Sequence, residues 1–278
     1  MSLGVSLSLK GAEFRYPKSA KNILCGVDLE IRPGEWVAVL GSNGSGKSTL
    51  MKLLNALLIP TQGFCFVDGE DSSKHDASER IKSKVAMVFQ NPEDQIVASV
   101  VEEDTAFGPE NMGLPSEEIL NRVHNALDTV GLWHKHKMPV SALSGGEKQR
   151  LALAGAIAVE PACILLDEAM SMLDPAARAE FTSIIKKANA EGMTVVQVTH
   201  RLDEIYNANR VIILEAGTIS WEGTLLMFLA KPEKILNHMN FEKPSLSVLI
   251  EELSVKGVLN CPPDTDAEKL ADIICQLK

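Results

Sequence analysis

A glycine-rich segment suited to binding phosphate lies between an apolar stretch and a predicted helix. It matches the pattern G-x-x-x-x-G-K-S/T, whose glycines let consecutive backbone N–H groups converge on an anion at a helix N-terminus. Lys47 is placed to bridge the β- and γ-phosphates of a nucleotide, and the Ser48 hydroxyl is placed to bind Mg²⁺. A glycine-rich turn that binds no ligand is the alternative. The segment consists of Gly41, Ser42, Asn43, Gly44, Ser45, Gly46, Lys47, Ser48 and Thr49.

A second candidate anion site lies in the sequence LSGGEKQR at 143–150. Ser144 and Glu147 have the spacing of a capping box, which predicts that a helix begins here. Gly145 and Gly146 fall in its first turn, where each costs about 1 kcal/mol relative to alanine. Two such residues are explained if a phosphate approaches the backbone closely at the helix N-terminus. A capping box without a ligand is the alternative.

Two adjacent carboxylates, Asp167 and Glu168, follow the apolar run 163–166. Neighbouring side chains point in opposite directions along a strand, so the two acids can serve different tasks at its end. Two exposed acids with no chemical role are the alternative.

The elements that must position these residues follow an alternating pattern of strands and helices. Two strands are predicted at 5–14 and 23–31 in a small antiparallel region, and a helix is predicted at 47–58. Further short apolar runs, typical of buried strands, are followed by helical or loop sequence, which predicts an α/β domain with a mainly parallel sheet. These runs are 36–40, 85–89, 163–166, 194–199 and 211–214.

The domain organisation follows from where these patterns change. Strand patterns are absent from about 92–160, where 116–130 and 145–159 have helical spacing, so we predict an inserted helical subdomain. Pro232 marks the predicted end of the main domain, 1–231. A small appendage, 232–278, follows; it is interrupted by Pro244, Pro262 and Pro263 and has amphipathic stretches at 246–253 and 267–277.

Composition limits the classes of function. With 45% hydrophobic residues, the 278-residue chain can form a full-sized core, and its net charge of −10 argues against nucleic-acid binding. The sequence contains neither an apolar run near the roughly 20 residues of a membrane span nor a signal peptide pattern, so we expect a soluble chain that is not exported. Its five cysteines are expected to be reduced and mostly buried. His134 and His136 are interpreted as surface residues of a loop.

The LSGGEKQR sequence resembles the signature motif of ATP-binding cassette (ABC) ATPases, and its position between a phosphate loop and a Walker B strand is the order of that family. The resemblance covers about residues 5–230. It implies a P-loop NTPase fold that binds ATP and Mg²⁺ and forms a head-to-tail dimer. Ser144, Gly145 and Gly146 of one subunit would then close on the γ-phosphate held by the other.

The same resemblance implies roles for single residues around the phosphates. Asp167 resembles the Walker B aspartate that holds the magnesium shell, and Glu168 resembles the catalytic glutamate that polarises the attacking water. Gln90 resembles the Q-loop glutamine, which contacts magnesium and water, and His200 resembles the switch histidine, which contacts the γ-phosphate.

For two further residues, only the family resemblance implies a role. Tyr16, in FRYP, resembles the aromatic residue on which adenine stacks. Asp174, in SMLDP, resembles the D-loop aspartate at the dimer interface.

The sequences FQNPEDQ and SMLDP resemble the first ATPase type of energy-coupling factor (ECF) transporters, which import vitamins, cobalt or nickel. This resemblance implies a second, like or related ATPase, a transmembrane subunit whose basic coupling helices enter a groove beside Gln90, and exchangeable substrate-binding subunits. It also implies a peripheral location on the cytoplasmic side of the cell membrane and a dimerisation role for the appendage. The acids of 93–110 could receive the basic helices, although a solvated acidic face is the alternative. Met170 departs from the threonine expected there.

Other ABC classes remain as alternatives. One is the ATPase subunit of another ABC transporter, and another is a soluble ATPase in DNA repair, chromosome organisation or translation. Two features argue against the soluble classes. Chromosome-type members have a long coiled coil between the phosphate loop and the signature, whereas here only about a hundred residues separate them, with no sustained heptads. Translation and repair types usually fuse two cassettes, and this sequence contains one. A non-hydrolytic regulatory cassette would be expected to lack Lys47, Glu168 or His200, which are all present.

Overall fold

A six-stranded sheet forms the centre of the protein in a computed structural model, which describes residues 4–17, 19–231, 244–259, 261, 262, 264, 265 and 267–276. The strand order is β10-β9-β3-β8-β7-β6, in which all neighbours run parallel except β10 and β9. The strands are β3 (Trp36–Leu40), β6 (Val85–Val88), β7 (Cys163–Asp167), β8 (Thr194–Val198), β9 (Arg210–Glu215) and β10 (Thr218–Thr224). The predicted mainly parallel α/β sheet is confirmed.

Apolar side chains pack on both faces of this sheet, which explains why its central strands are apolar throughout. Trp36, Ala38 and Leu40 belong to a core cluster on one face, together with residues of the helical segment. Val37 and Val39 belong to a cluster on the other face. The strand that precedes the phosphate loop is therefore fixed from both sides.

An antiparallel sheet of four strands, in the order β2-β1-β4-β5, covers the second face. Its strands are β1 (Leu7–Phe14), β2 (Leu24–Ile31), β4 (Gln62–Val67) and β5 (Glu70–Asp71). The sequence predicts the first two of these strands but neither β4 nor β5.

Helices connect the strands and fill the segment between β6 and β7. The helices up to residue 231 are α1 (Lys47–Leu54), α2 (Ala77–Lys84), α3 (Val101–Asn111), α4 (Ser116–Thr129), α5 (Gly145–Ala158), α6 (Pro175–Ala190) and α7 (Leu225–Leu229). α3, α4 and α5 pack on one another where the helical subdomain is predicted. The sequence analysis does not predict α3, whose last turn contains Gly108 and Pro109.

The helix predicted at 47–58 is shorter than expected, because α1 ends at Leu54. Asn55 follows it and donates from its side-chain amide to the Val85 carbonyl oxygen at 2.9 Å. Ala56 has a φ of 54°, and its N–H donates to the Leu53 carbonyl oxygen at 3.0 Å. A left-handed residue with such a bond is a common way to end a helix.

The C-terminal segment contains α8 (Ser245–Val255) and α9 (Ala267–Gln276). Ile250, Leu259 and Leu270 form a small cluster of their own. A bond of 2.8 Å between the hydroxyl oxygens of Tyr206 and Ser247 joins α8 to the main domain. The predicted boundary at Pro232 lies outside the described residues, as do Pro263 and residue 277.

Two surface expectations need correction. Among the five cysteines, Cys65 and Cys163 are buried but Cys25 and Cys275 are exposed, so "mostly buried" is wrong. Cys25 lies on an outward-facing position of β2, and Cys275 lies on α9. His136 is half-buried rather than a surface residue, because its ring stacks on Trp133 at 4.2 Å between centroids.

Candidate functional site

The carboxyl ends of neighbouring parallel strands bring the candidate residues to one edge of the central sheet. β3 leads into the phosphate loop, β7 ends at Asp167, and β8 lies between them and ends two residues before His200. β6 pairs with β7 and ends two residues before Gln90. Such an edge is where ligands bind in open α/β sheets.

Lys47, the lysine of the phosphate loop, is buried at the start of α1. Its Nζ donates to the carbonyl oxygens of Gly41 at 2.8 Å and Ser42 at 3.0 Å. Burial lowers the pKa of Lys47, although the charges of Glu168 and Asp167 oppose that shift. The ammonium group therefore lies within a partly desolvated loop, where a phosphate would favour its charged form.

The loop has little room for larger residues. A Cβ atom at Gly41 would lie 2.2 Å from the Leu214 carbonyl oxygen and 2.8 Å from Ser45 Oγ. Ser45 Oγ is itself buried and has no hydrogen-bond partner in the structure. Gly41 therefore lies in a compact turn whose backbone leaves no room for a side chain.

Gly41→Ala is expected to reduce the free energy of unfolding by about 1–3 kcal/mol, because its methyl group overlaps a backbone atom that cannot rotate away. Urea unfolding at neutral pH would measure the change. Gly145→Ala is the matched control, since nothing lies within 4 Å of an added Cβ there. Equal stabilities of the two variants would contradict the proposed close packing.

Glu168 contacts two residues from other parts of the chain, Gln90 and His200. Its Oε2 accepts a hydrogen bond from Gln90 Nε2 at 3.1 Å and lies 3.4 Å from His200 Nδ1. Its backbone has a φ of 50°, unusual for a residue other than glycine, and its N–H donates to the Val198 carbonyl oxygen at 3.1 Å. Such backbone conformations cost about 1–3 kcal/mol and are concentrated at functional sites.

Asp167 faces a different environment from its neighbour. It is buried, and burial raises its pKa, while a hydrogen bond from the Ser48 side chain and the charges of Lys52 and Lys47 act in the opposite direction. Its carboxylate therefore lies beside the hydroxyl that the motif assigns to Mg²⁺. The two adjacent acids do have different surroundings.

A cavity of about 770 Å³ joins these residues, and we call it the phosphate-loop cavity. Tyr16 lies at its margin with 38% of the residue exposed, and its hydroxyl oxygen is 3.4 Å from Thr49 Oγ1. Neither Ser45 nor Asp167 contributes to the lining. The lining residues are Tyr16, Ile23, Gly41, Ser42, Asn43, Gly44, Gly46, Lys47, Ser48, Thr49, Gln90, Glu168 and His200.

The LSGGEKQR segment and Asp174 do not line this cavity within one chain. The predicted capping box is confirmed: Ser144 Oγ accepts from the Glu147 N–H, and the Glu147 carboxylate accepts from the Ser144 N–H at 3.0 Å. Asp174 caps α6 by accepting from the Ala177 N–H at 2.9 Å. The predicted roles of both segments towards a second subunit remain predictions.

Lys135 holds the turn at 144–147, which we call the signature turn, through a contact that the sequence alone does not reveal. Its Nζ lies 2.5 Å from Glu147 Oε1, while Glu147 Oε2 accepts from the Ser144 hydroxyl at 3.1 Å. These bonds lower the pKa of Glu147 to about 2, chiefly through Lys135 and then through the Ser144 backbone. The turn therefore depends on a charged carboxylate.

Glu147→Gln is expected to lower stability at pH 7 by about 1–3 kcal/mol, once solvent screening is allowed for. A lowered carboxylate pKa stabilises the fold above the unfolded-state value of 4.5 and loses that effect as the pH falls towards 2. The stability gap to the wild type should therefore narrow from pH 6 to pH 3. Urea unfolding across this range tests the prediction, and a gap that stays constant would contradict it.

Two glutamines join the Gln90 segment to α5, and sequence reasoning missed both. Gln149 Nε2 donates to the Phe89 carbonyl oxygen at 3.0 Å. Gln95 accepts from the Phe89 N–H at 3.2 Å and donates to the Ala152 carbonyl oxygen at 3.0 Å. Gln95 lies in the motif FQNPEDQ and Gln149 in the motif LSGGEKQR, so their positions in these motifs could have indicated a structural role.

The donor set fits Mg²⁺ in combination with a nucleotide. Oxygen donors are available from Ser48, Gln90 and Asp167, and Mg²⁺ prefers oxygen ligands and uses one or two carboxylates plus phosphates. In the described part of the chain, no group of three or more His, Cys, Asp or Glu side chains could hold a metal ion alone. Phosphate oxygens would have to complete the coordination.

Comparison with known proteins identifies the family. A family model described as "ABC transporter" matches residues 24–171, which is more than half of the chain. The chain belongs to the ABC transporter family. As a cassette of this family, it binds ATP and is an ATPase. None of its described helices is long and apolar enough to cross a membrane.

Curated relatives extend this similarity over nearly the whole cassette. This chain is 44% identical over 275 residues to the energy-coupling factor transporter ATP-binding protein EcfA1 of Symbiobacterium thermophilum, and the alignment covers 99% of this chain and 96% of the relative. It is 42% identical to the protein of the same name from Enterococcus faecalis, with 91% of each chain covered. The resemblance to ECF ATPases is thereby confirmed.

Solved structures agree with the fold. The cassette resembles cbiO1 from Clostridium perfringens, described as part of the ABC transporter complex cbiONQ, with a TM-score of 0.73, 31% identity and coverage of 88% of this chain and 98% of cbiO1. It also resembles the cassette MJ0796, solved as a dimer in a post-hydrolysis state with ADP and Pi, with a TM-score of 0.72, 30% identity and coverage of 79% and 98%. The predicted P-loop NTPase fold of the ABC type is confirmed.

Proposed function

We propose that this cassette is the ATP-hydrolysing subunit of an ECF-type importer for vitamins or transition-metal ions, bound peripherally to the cytoplasmic side of the cell membrane. The observation that supports hydrolysis best is the approach of Gln90 and His200 to one oxygen of Glu168 beside the phosphate loop. The near-complete similarity to ECF ATP-binding proteins supports the transport system.

Each residue that the sequence predicts for this site has a task in this proposal. The backbone of 41–49 and Lys47 bind the phosphates, and Tyr16 stacks on adenine. Bound Mg²⁺ neutralises phosphate charge, and Ser48, Gln90 and Asp167 would hold it. Glu168 polarises the attacking water and His200 contacts the γ-phosphate. Positioning and charge neutralisation supply most of the catalysis in such phosphoryl transfer.

The proposed dimer completes the site. Gly145 has no neighbour within 4 Å of an added Cβ, and the signature turn lies outside the phosphate-loop cavity of its own chain. We assign Ser144, Gly145 and Gly146 to the γ-phosphate of a like or related second ATPase, and Asp174 to the interface between the two.

A groove between α3, α5 and the end of α1 is the proposed contact with the transmembrane subunit. This cavity of about 280 Å³, which we call the docking groove, is lined by Leu57, Phe89, Gln95, Val97, Asp104 and Phe107, among others. Leu57, Val97 and Phe107 expose 45%, 62% and 49% of their surface. Their apolar surface suits the packing of a helix from another chain.

The acids near this groove divide into two kinds. Asp104 is buried, and its Oδ1 accepts from the backbone N–H groups of Val97 at 2.7 Å and Ala98 at 3.0 Å. Glu93 is exposed and paired with Lys148 at 2.7 Å, whereas Asp94 and Glu103 are exposed acids that could meet a basic partner. The alternative of a uniformly solvated acidic face is therefore wrong for Asp104, which shapes the loop beside Gln95.

Pull-down of the cassette from native membranes tests the transport role directly. A co-purified polytopic membrane protein is expected, and its loss is expected for Phe107→Asp, which places a charge in the docking groove. Phe64→Asp is the matched control, because Phe64 is an equally exposed phenylalanine (53%) on the antiparallel sheet. Equal retention of the partner by both variants would contradict the docking site. Absence of any membrane protein from the wild-type pull-down would favour a soluble ABC ATPase instead.

A further inference from the structure

A buried carboxylate outside the phosphate-loop cavity connects the loop that carries His200 with the segment that follows Glu168. Glu204 ends a short 3₁₀ helix, Leu202–Glu204, and its side chain is only 4% exposed. Acidic side chains are almost never buried to this extent unless they are paired. Glu204 does not line the phosphate-loop cavity, so its burial and pairing need another explanation.

The first set of contacts fixes both neighbours of His200. Glu204 Oε2 accepts from the Thr199 hydroxyl at 2.7 Å, and Thr199 Oγ1 in turn accepts from the Arg201 N–H at 3.0 Å. Arg201 Nε also lies 3.6 Å from Glu204 Oε1. The residues on both sides of His200 are therefore anchored, directly or through one bond, to a single carboxylate.

The second set of contacts reaches the segment after Glu168. Glu204 Oε1 lies 3.3 Å from Nε of Arg178, which is in the first turn of α6. Arg178 donates from Nη2 to the Leu173 carbonyl oxygen at 2.9 Å and from Nε to the Met170 carbonyl oxygen at 3.5 Å. It thus holds the chain between Glu168 and the α6 cap, Asp174.

The network is buried, and Glu204 Oε1 makes charge contacts with Arg178 and Arg201 but no hydrogen bond. The Arg178 side chain is 16% exposed, and Gln197 Nε2 donates to Glu204 Oε2 at 3.4 Å while its Oε1 accepts from the indole N–H of Trp36 at 3.1 Å. Burial raises the pKa of Glu204, while the Thr199 hydroxyl and Arg178 act against that rise. Hydrogen bonds and charge pairs are stronger in such surroundings than in water.

We propose that Glu204 and Arg178 are positioning residues for ATP hydrolysis, which hold the His200 loop and the 169–174 segment in one fixed arrangement. Glu168 and His200 come from different strands, and their 3.4 Å approach needs both segments to keep their places. Neither residue lines the phosphate-loop cavity.

Steady-state ATP hydrolysis of the full chain tests this role, at a concentration where turnover per subunit no longer rises. Glu204→Gln keeps the size of the side chain but removes its charge. It is expected to lower kcat by about 10- to 100-fold, because small displacements of reacting groups have effects of this size. The KM for ATP is expected to change by less than about threefold, since the nucleotide-binding residues lie elsewhere.

A double-variant cycle separates positioning from folding. Arg178→Met should lower kcat as Glu204→Gln does, and Arg178→Lys should retain more activity than Arg178→Met. The double variant Glu204→Gln with Arg178→Met should be no less active than the less active of the two single variants. Glu118→Gln is the matched control: Glu118 pairs with Arg122 at 2.6 Å on α4, outside both the His200 loop and the 169–174 segment. It should stay within about twofold of the wild type. Thermal unfolding of each variant sets an assay temperature at which all are folded.

Three results would overturn the inference: a wild-type kcat for folded Glu204→Gln, a parallel rise in KM that accounts for the loss, or strictly additive effects in the cycle. The inference rests on the proposed roles of Glu168 and His200, so Glu168→Gln is assayed in parallel. If Glu168→Gln is inactive while Glu204→Gln is active, only the positioning role fails. If Glu168→Gln is active, the proposed site itself fails.

Discussion

Glu168→Gln is expected to bind ATP as the wild type does and to lose most of its turnover. A positioned base contributes about 10²–10⁴ in rate, and a glutamine amide cannot take its place. The amide keeps the shape of the side chain, so its neighbours Gln90 and His200 should stay in place. ATP binding measured with a fluorescent analogue, alongside phosphate release, checks both halves of the prediction.

The comparison with Gln90→Met makes this test sharper. That variant removes the hydrogen bond at 3.1 Å but leaves the Glu168 carboxylate charged, so a smaller loss is expected than for Glu168→Gln. Wild-type hydrolysis by Glu168→Gln would remove the residue from its proposed role.

Mixing two inactive variants is expected to restore hydrolysis if the sites are shared between subunits. Lys47→Met disables the phosphate loop, and Gly145→Glu places a carboxylate in the signature turn, where the lack of neighbours allows it to fold. A head-to-tail dimer of the two collects both changes in one site and leaves the other site intact. Random pairing then gives about a quarter of the wild-type rate, against almost none for either variant alone.

Dilution provides the control for the mixing experiment. Wild-type turnover per subunit should fall as the concentration drops through the dissociation range, and the mixture should follow the same curve. No restored activity in a mixture that forms dimers would contradict the shared site. A rate strictly proportional to concentration throughout would contradict it as well.

Local sequence patterns predict the parts of the site that lie on single elements. The apolar strand at 36–40 with its glycine-rich loop, the capping box at Ser144 and the strand that ends at Asp167 all depend on neighbours close in the chain. Asp174–Pro175 is also a local signal for the start of a helix, and it marks the start of α6, whereas the family resemblance assigns Asp174 only to the dimer interface.

Elements with mixed or interrupted patterns could not be predicted in the same way. β4 begins with three exposed residues, Gln62–Phe64 in sequence, and includes Gly63 with a φ of 74°, while β10 alternates between exposed and half-buried positions. β4 gains its place through pairing with the distant β1, whereas β10 is an edge strand that pairs with the preceding β9. The contact of Glu204 with Arg178 also arises only when β7 and β8 lie side by side.

The pairing of β3 has a consequence for synthesis of the chain on the ribosome. Its two neighbours, β8 and β9, come from Thr194–Val198 and Arg210–Glu215, more than 150 residues later. β3 therefore remains unpaired during most of translation, and unpaired apolar strands are prone to aggregate. Nascent chains that stall before residue 194 should need chaperones, because both partner strands of β3 are then still missing.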